Sequence, residues 1–174
     1  MNIKYEQVNN EKIDESVNFI MAGRKVIFPM LEHSKMPEDL INFKQYYMLD
    51  KDAYWLNAID ADTNQIVATI AFRKYDHRFP FLSLPRDKKI VELQKLFVDP
   101  RVRRNGIAKT LVKIMIDKAS EMGINYIYLH THPFLIGAQQ LYFKLGWDYL
   151  YNEKNDPWNT IHMLYDVKNG RERK

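Results

Sequence analysis

Residues 91–119 read VELQKLFVDPRVRRNGIAKTLVKIMIDKA, with Arg101, Arg103 and Arg104 crowded into one turn beside a lone glycine, Gly106. The stretch begins as a strand and ends as a helix, so the turn feeds a helix N-terminus. The first amides of a helix have no intrahelical partner and carry the positive end of its macrodipole, which makes them a ready anion site. Basic side chains there oppose the dipole and cost stability until an anion arrives. Gly106 removes the Cβ that would keep a phosphate off the backbone, and Ala108 leaves the next approach nearly as open. Arg103 and Arg104 can add charge-assisted hydrogen bonds of about 1.5–3 kcal/mol each when partly desolvated. Such a turn suits two phosphates in line; a solvated basic helix start with a chance glycine is the alternative. Other phosphate loops are excluded, since the chain has neither a Gly-Lys-Ser/Thr tripeptide nor glycines spaced Gly-x-Gly-x-x-Gly.

A second group with reactive side chains is His130-Thr131-His132-Pro133. An imidazole with an ordinary pKa of ~6.5 can exchange protons near neutrality, so His132 is a candidate base, although a histidine before a proline at a strand end also reads as structural. His130 and His132 should share one side of their strand. With no cysteine in the chain, that pair is too sparse for a metal site, and disulfides, thiolate nucleophiles and cysteine-bound metals are excluded. The net charge of +4 fits simple solubility, an anionic ligand or nucleic acid. Outside Arg101–Lys109 the basic residues alternate with acids, which argues against a continuous nucleic-acid face. The N-terminal residues lack the apolar core of a signal peptide. Residues 125–143 carry no Asp, Glu, Lys or Arg, but their Asn, Pro, His and Gln rule out a membrane span. A soluble, cytoplasmic protein is expected.

The elements that must hold these groups follow from periodicity. A strand is expected over about 2–8, then a helix from about Glu11, capped by Asn10, with Ile13, Val17, Ile20 and Met21 on its buried face. Pro37 suits the first position of a second helix through Leu49, with Leu40, Phe43 and Tyr47 inward. A hairpin runs over Tyr54–Ile59 and Ile66–Tyr75, and residues 77–89 form a loop with two prolines. The strand Ile90–Val98 leads to a helix over about 105–122 that buries Ile107, Leu111, Met115 and Ala119 and ends at Gly123. A strand over 125–131, a helix over about 135–144 ending at Gly146, and strands over 147–151 and 158–167 complete the order β-α-α-β-β-β-α-β-α-β-β. No linker divides the chain, and residues 168–174 read as a frayed charged tail.

Arg103-x-x-Gly106-x-Ala108 matches the Arg/Gln-x-x-Gly-x-Gly/Ala signature of the GNAT superfamily of N-acetyltransferases, and residues 92–111 resemble that family's strand-four, turn and helix-three segment. LHTHPFLIGAQQLYFKLGW (129–147) is similar to its strand-five and helix-four segment. The resemblance covers about residues 3–167 and implies an α/β fold in one domain spanning 1–174. That fold is a mixed, mostly antiparallel sheet of about seven strands, flanked by four helices, with strands four and five splayed. It implies acetyl-CoA as cosubstrate, with no metal. Backbone groups of Leu96, Phe97 and Val98 would meet the pantetheine, and Arg103, Arg104, Asn105, Gly106, Ile107, Ala108 and Lys109 would wrap the diphosphate. Tyr142 matches the tyrosine that protonates the departing thiolate, with a tyrosine on the buried helix face as the alternative; a phenol of pKa ~10 is protonated at neutral pH. Glu92 stands where many relatives carry an acidic residue that deprotonates the amine directly or through water, with a strand-end salt bridge as the alternative, and His132 is the second candidate. The chain departs from the family at Leu135, where many members have an asparagine that bonds the pantetheine.

The acceptor pocket of such folds would be built from residues 22–36 and 152–160, which offer Phe28, Met30 and Trp158. The acceptor would be a small-molecule or peptide amine, with no nucleic acid or membrane partner, and the protein a monomer or homodimer. A degenerate coenzyme A-binding module or a basic nucleic-acid adaptor is the competing class.

Overall fold

The computed structural model describes residues 1–174. Along the chain run β1 (Ile3–Gln7), α1 (Ile13–Ile27), α2 (Glu38–Ile41), β2 (Tyr54–Asp60), β3 (Gln65–Lys74), β4 (Ile90–Val98), α3 (Ile107–Glu121), β5 (Tyr126–Thr131), α4 (Ala138–Leu145), β6 (Asp148–Asn152) and β7 (Ile161–Asp166). This is the element order expected from periodicity. The strands form one seven-stranded sheet in the order β1-β2-β3-β4-β5-β7-β6. β1/β2, β2/β3, β5/β7 and β6/β7 pair antiparallel. β4 and β5 run parallel, and their ladder holds Ile90, Val91 and Glu92 against Tyr126, Ile127 and Tyr128. No helix is long and apolar enough to cross a membrane.

The chain folds into two compact units, Met1–Arg73 with Gln94–Val112 and Lys74–Leu93 with Lys113–Lys174. In the first, Asn9 rather than Asn10 is the cap: its side chain accepts from the amides of Glu11 and Lys12, both at 3.0 Å, and a single 3-10 turn hands over to α1. Val17 and Ile20 of α1 join Leu40, Phe43, Tyr47, Trp55, Ala71 and Phe97 in a buried cluster. The rings of Phe43, Tyr47 and Trp55 lie 4.7–5.2 Å apart. The expected helix through Leu49 is broken into the four-residue α2 and a π-helical turn over Gln45–Leu49. The wider turn still seats Tyr47 in the core, where its hydroxyl donates to buried Asp39.

Gly23 lies in mid-helix, where glycine costs about 1 kcal/mol relative to alanine. A Cβ at this position would come within 2.5 Å of the Phe97 ring, so glycine is what lets α1 settle on β4.

In the second unit, buried Trp147 donates from Nε1 to the Ile127 carbonyl at 3.1 Å and packs 4.6 Å from Tyr165. α4 begins at Ala138 rather than Leu135 because Gly137 takes a left-handed turn (φ 84°) just before it. Gly146 ends it at φ 109°, as expected. The last residues differ from the frayed tail read in the sequence. Arg173 donates to the carbonyls of Phe143 (2.7 Å) and Trp147 (2.6 Å) and lies 4.3 Å over the Phe143 ring, which satisfies carbonyls at the end of α4. Residues Ile107, Leu111, Met115 and Ala119 of α3 are all buried, as their spacing predicts.

Gly23→Ala is expected to destabilise the protein by about 1–3 kcal/mol, because overpacking against Phe97 exceeds the gain in helix propensity. Urea denaturation reads this as a lower midpoint at unchanged slope; an unchanged or higher midpoint would refute the steric account.

Candidate active site

In the first unit, β4 ends where Asp99 donates its amide to the Val67 carbonyl (2.9 Å) and accepts from the Arg101 amide (2.9 Å). The Asp99 carboxylate also holds the Arg101 guanidinium at 2.6 Å, so that arginine is spent within the turn. Pro100–Val102 make one 3-10 turn that plugs Val102 into the core. Arg103 then runs extended, donates from Nε to the Val98 carbonyl (3.1 Å) and lies 5.8 Å over the Phe97 ring. Arg104 and Gly106 are both left-handed, at φ 65° and 75°. Asn105 braces the bend by donating to the Val102 carbonyl at 3.0 Å. Residues 103–106 are exposed.

A Cβ on Gly106 would meet no protein atom within 4 Å, so its backbone conformation calls for glycine and the space beside it is open. The helical ladder starts with the Thr110 amide donating to the Gly106 carbonyl at 3.0 Å, which leaves the amides that open α3 outside it. Ile107 is buried, Ala108 half-buried and Lys109 exposed. On β4, Phe97 is buried and Leu96 and Val98 half-buried. Lys95, just before them, has φ 59°, an uncommon conformation for a lysine inside a strand. Its carbonyl accepts from Thr69 Oγ1 (2.9 Å) and its ammonium pairs with Asp39 (2.8 Å), contacts that hold the kinked backbone in place. The residues expected to hold a diphosphate and a pantetheine therefore share one unit.

The three expected catalytic residues share the other. Glu92 is buried and receives both ends of the Arg78 guanidinium, at 2.6 and 2.7 Å. His130 Nδ1 lies 3.4 Å from the same carboxylate. Burial raises the Glu92 pKa, but the Arg78 hydrogen bonds, helped by His130, overcome it and hold the group at about 2. His132 stacks flat on Phe134, ring centroids 5.1 Å apart, and its Nδ1 lies 3.4 Å from Thr160 Oγ1. Burial, then neighbouring His130, pushes its pKa below the ordinary value, so it is neutral at pH 7. Tyr142 sits buried on α4, 5.5 Å from Trp147, and burial raises its pKa. Trp158 lies 6.0 Å from Phe134 and 6.3 Å from His132, while Phe28 and Met30 belong to the first unit.

Sequence reasoning missed Arg78, which lay in what looked like a mere proline-containing loop. That loop also brings Phe79 and Phe81 edge-on to buried His162, at 4.9 and 5.6 Å. His162 is buried although its neighbours Ile161 and Met163 are buried too, so strand alternation does not single it out, and nothing local in the sequence indicates its partners.

The pattern of the acetyltransferase (GNAT) family matches residues 19–147, and the chain belongs to that family. It is similar to rat (Rattus norvegicus) N-acetylaspartate synthetase, 28% identical over 129 residues that make up 74% of this chain and 38% of that protein. In general the chain spans well under half the length of the first curated relatives it matches. The fold is that of a GNAT-family acetyltransferase from Staphylococcus aureus Mu50 (TM-score 0.76, 23% identity, 95% of this chain and 99% of that one). It is also that of the PaiA N-acetyltransferase from Thermoplasma acidophilum, solved in complex with coenzyme A (TM-score 0.69, 17% identity, 95% and 99%).

Because the folded pKa of Glu92 lies below its ordinary 4.5, the pairing stabilises fully above that pH and is lost as pH falls toward about 2. Arg78→Met strands the carboxylate and is expected to cost about 3 kcal/mol at neutral pH. The deficit should shrink on acidification, as Glu92 takes up a proton. Denaturation at a series of pH values checks this, and a pH-independent deficit would contradict it.

Proposed function

We propose that the chain is an acetyl-CoA-dependent N-acetyltransferase that moves an acetyl group onto a primary amine by direct attack in a ternary complex, using one domain over 1–174. The reading is carried by the turn before α3: a helical ladder that starts only at Thr110, left-handed Arg104 and Gly106, exposed Arg103, and free space where a Cβ would stand. Those features fit a diphosphate, and they occur in a GNAT-family chain whose fold is also that of a coenzyme A-bound N-acetyltransferase.

Arg103, Arg104, Asn105, Gly106, Ile107, Ala108 and Lys109 would hold the diphosphate through amides and charge, and backbone groups of Leu96, Phe97 and Val98 would bond the pantetheine. Leu135 cannot supply the side-chain hydrogen bond of the family's asparagine, which leaves that contact to backbone. When bound, acetyl-CoA supplies the activated acyl carbon and a thiolate leaving group.

The attacking amine must first shed a proton. Glu92, held ionised by Arg78, is too weak a base to take it and instead attracts and orients the ammonium, directly or through water. His132, neutral at pH 7, is the proton acceptor on this reading. Tyr142, kept neutral by burial, donates from its hydroxyl to the sulfur as negative charge develops there. The acceptor is a small-molecule or peptide amine. The protein acts in the cytoplasm as a monomer or homodimer, without nucleic acid.

Thiol release from acetyl-CoA, measured against an L-amino acid, spermidine and a short peptide, tests the reading. Tyr142→Phe is expected to lower kcat about 100-fold while the KM for acetyl-CoA stays within a factor of about three. Equal turnover would remove Tyr142 from the chemistry, and no release with any amine would overturn the assignment.

A further inference from the structure

We propose that Glu153, Tyr151 and Phe81 form a binding site for an alkylammonium group that stays charged while bound. Resting on the acetyltransferase reading, we assign this group to the acceptor as a second positive charge, distinct from the attacking nitrogen. Spermidine-like polyamines and peptides with a basic residue near the reacting amine are of this class.

Glu153 is held by a two-step support. Its Oε1 lies 2.6 Å from His162 Nε2, and His162 Nδ1 lies 2.6 Å from the Tyr128 hydroxyl. A carboxylate can only accept, so Nε2 carries the proton and Nδ1 accepts from Tyr128. Tyr128 and His162 are fully buried, whereas the Glu153 side chain is 24% exposed. Burial lowers the His162 pKa and outweighs the opposing pull of Glu153, so the imidazole is neutral at pH 7. Arg78 and His130, also near the imidazole, act in the same direction. The neutral imidazole is the side chain paired with Glu153, through a hydrogen bond and not an ion pair, and no lysine or arginine forms a salt bridge with it. A fixed, partly exposed carboxylate without a protein cation is arranged to receive one from outside.

The walls fit the same guest. Phe81 and Tyr151 are 49% and 51% exposed, with ring centroids 5.1 Å apart. Tyr151 stands directly opposite His162 in the β6/β7 ladder, and a bulge between Tyr149 and Tyr151 re-aims it to that place. The two rings lie 6.5 Å and 5.6 Å from the His162 ring, the same imidazole whose Nε2 meets the Glu153 carboxylate at 2.6 Å. Aromatic faces are negative and attract alkylammonium groups within ~6 Å.

A carboxylate with aromatic faces raises the pKa of an ammonium it binds. That favours the charged form, and His162 Nε2, which already carries a proton, cannot take one from the guest, so the nitrogen held here is assigned to the charge that is not acetylated. Glu153 and His162 also lie outside residues 19–147, where the family pattern matches.

The test is calorimetric titration of the full chain, without acetyl-CoA, with spermidine, tetramethylammonium and, as an uncharged isostere, neopentyl alcohol. Both cations should bind and the alcohol should not. Glu153→Gln keeps the shape and the acceptor for His162, and should weaken spermidine about tenfold while coenzyme A titrates as in the wild type. Tyr151→Leu should weaken it several-fold, and either change should raise the KM for spermidine more than it lowers kcat. Equal binding of alcohol and cation, or spermidine binding indifferent to Glu153→Gln, would overturn the site. So would a concentration-dependent dimer abolished by Tyr151→Leu, which would mean the rings face a second copy. Cation binding without spermidine-dependent thiol release would overturn the acceptor assignment and leave the site standing.

Discussion

Positive charge gathered where a helix begins is the constraint on which the account rests. Asp99 sits in the turn before α3, yet its carboxylate is spent on Arg101. Arg103 meets the Val98 carbonyl and the Phe97 ring, and Arg104 is held left-handed. A left-handed non-glycine residue costs of order 1 kcal/mol, and basic residues at a helix N-terminus add to that. The fold carries these costs with firm bracing: the Asp99 amide on Val67, Val102 plugged into the core, Asn105 on Val102. A diphosphate would relieve the electrostatic part of that cost. This is why the turn, more than any single side chain, carries the functional reading.

The second unit handles charge in the opposite way. Its buried carboxylate, Glu92, is held ionised by Arg78, while His132 and His162 are pushed toward neutrality by burial. A buried acid with an internal counterion can set a local field without acting as a base, and neutral imidazoles can take protons without adding charge. Division of labour between a fixed carboxylate and neutral histidines would, under the proposed function, suit an amine that arrives protonated and must leave as an amide.

Much of this was legible in the sequence because it is local. The strand, turn and helix over residues 91–119, the stops at Gly123 and Gly146 and the buried α3 face all follow from spacing and from residue types with few conformational options. The boundaries that moved did so where neighbours compete: Asn9 displaced Asn10 as cap, and the aromatic packing of Tyr47 went with a π-helical turn in place of a straight helix. What stayed hidden is long-range. Nothing near Gly23 announces Phe97, nothing in the proline loop announces that Arg78 will reach Glu92, and Arg173 looks like tail until α4 offers its carbonyls. Lys95 and Arg104 adopt left-handed conformations that their residue types disfavour, so no propensity could foretell them.

Calorimetric titration of coenzyme A into the wild type and Gly106→Ala shows whether the turn before α3 holds a diphosphate. The added methyl group meets no protein atom within 4 Å, so its cost to folding is confined to the left-handed backbone, about 1 kcal/mol. The account predicts saturable binding to the wild type that weakens at least tenfold in a folded Gly106→Ala protein. Absence of binding to the wild type, or equal affinity in both, would contradict it.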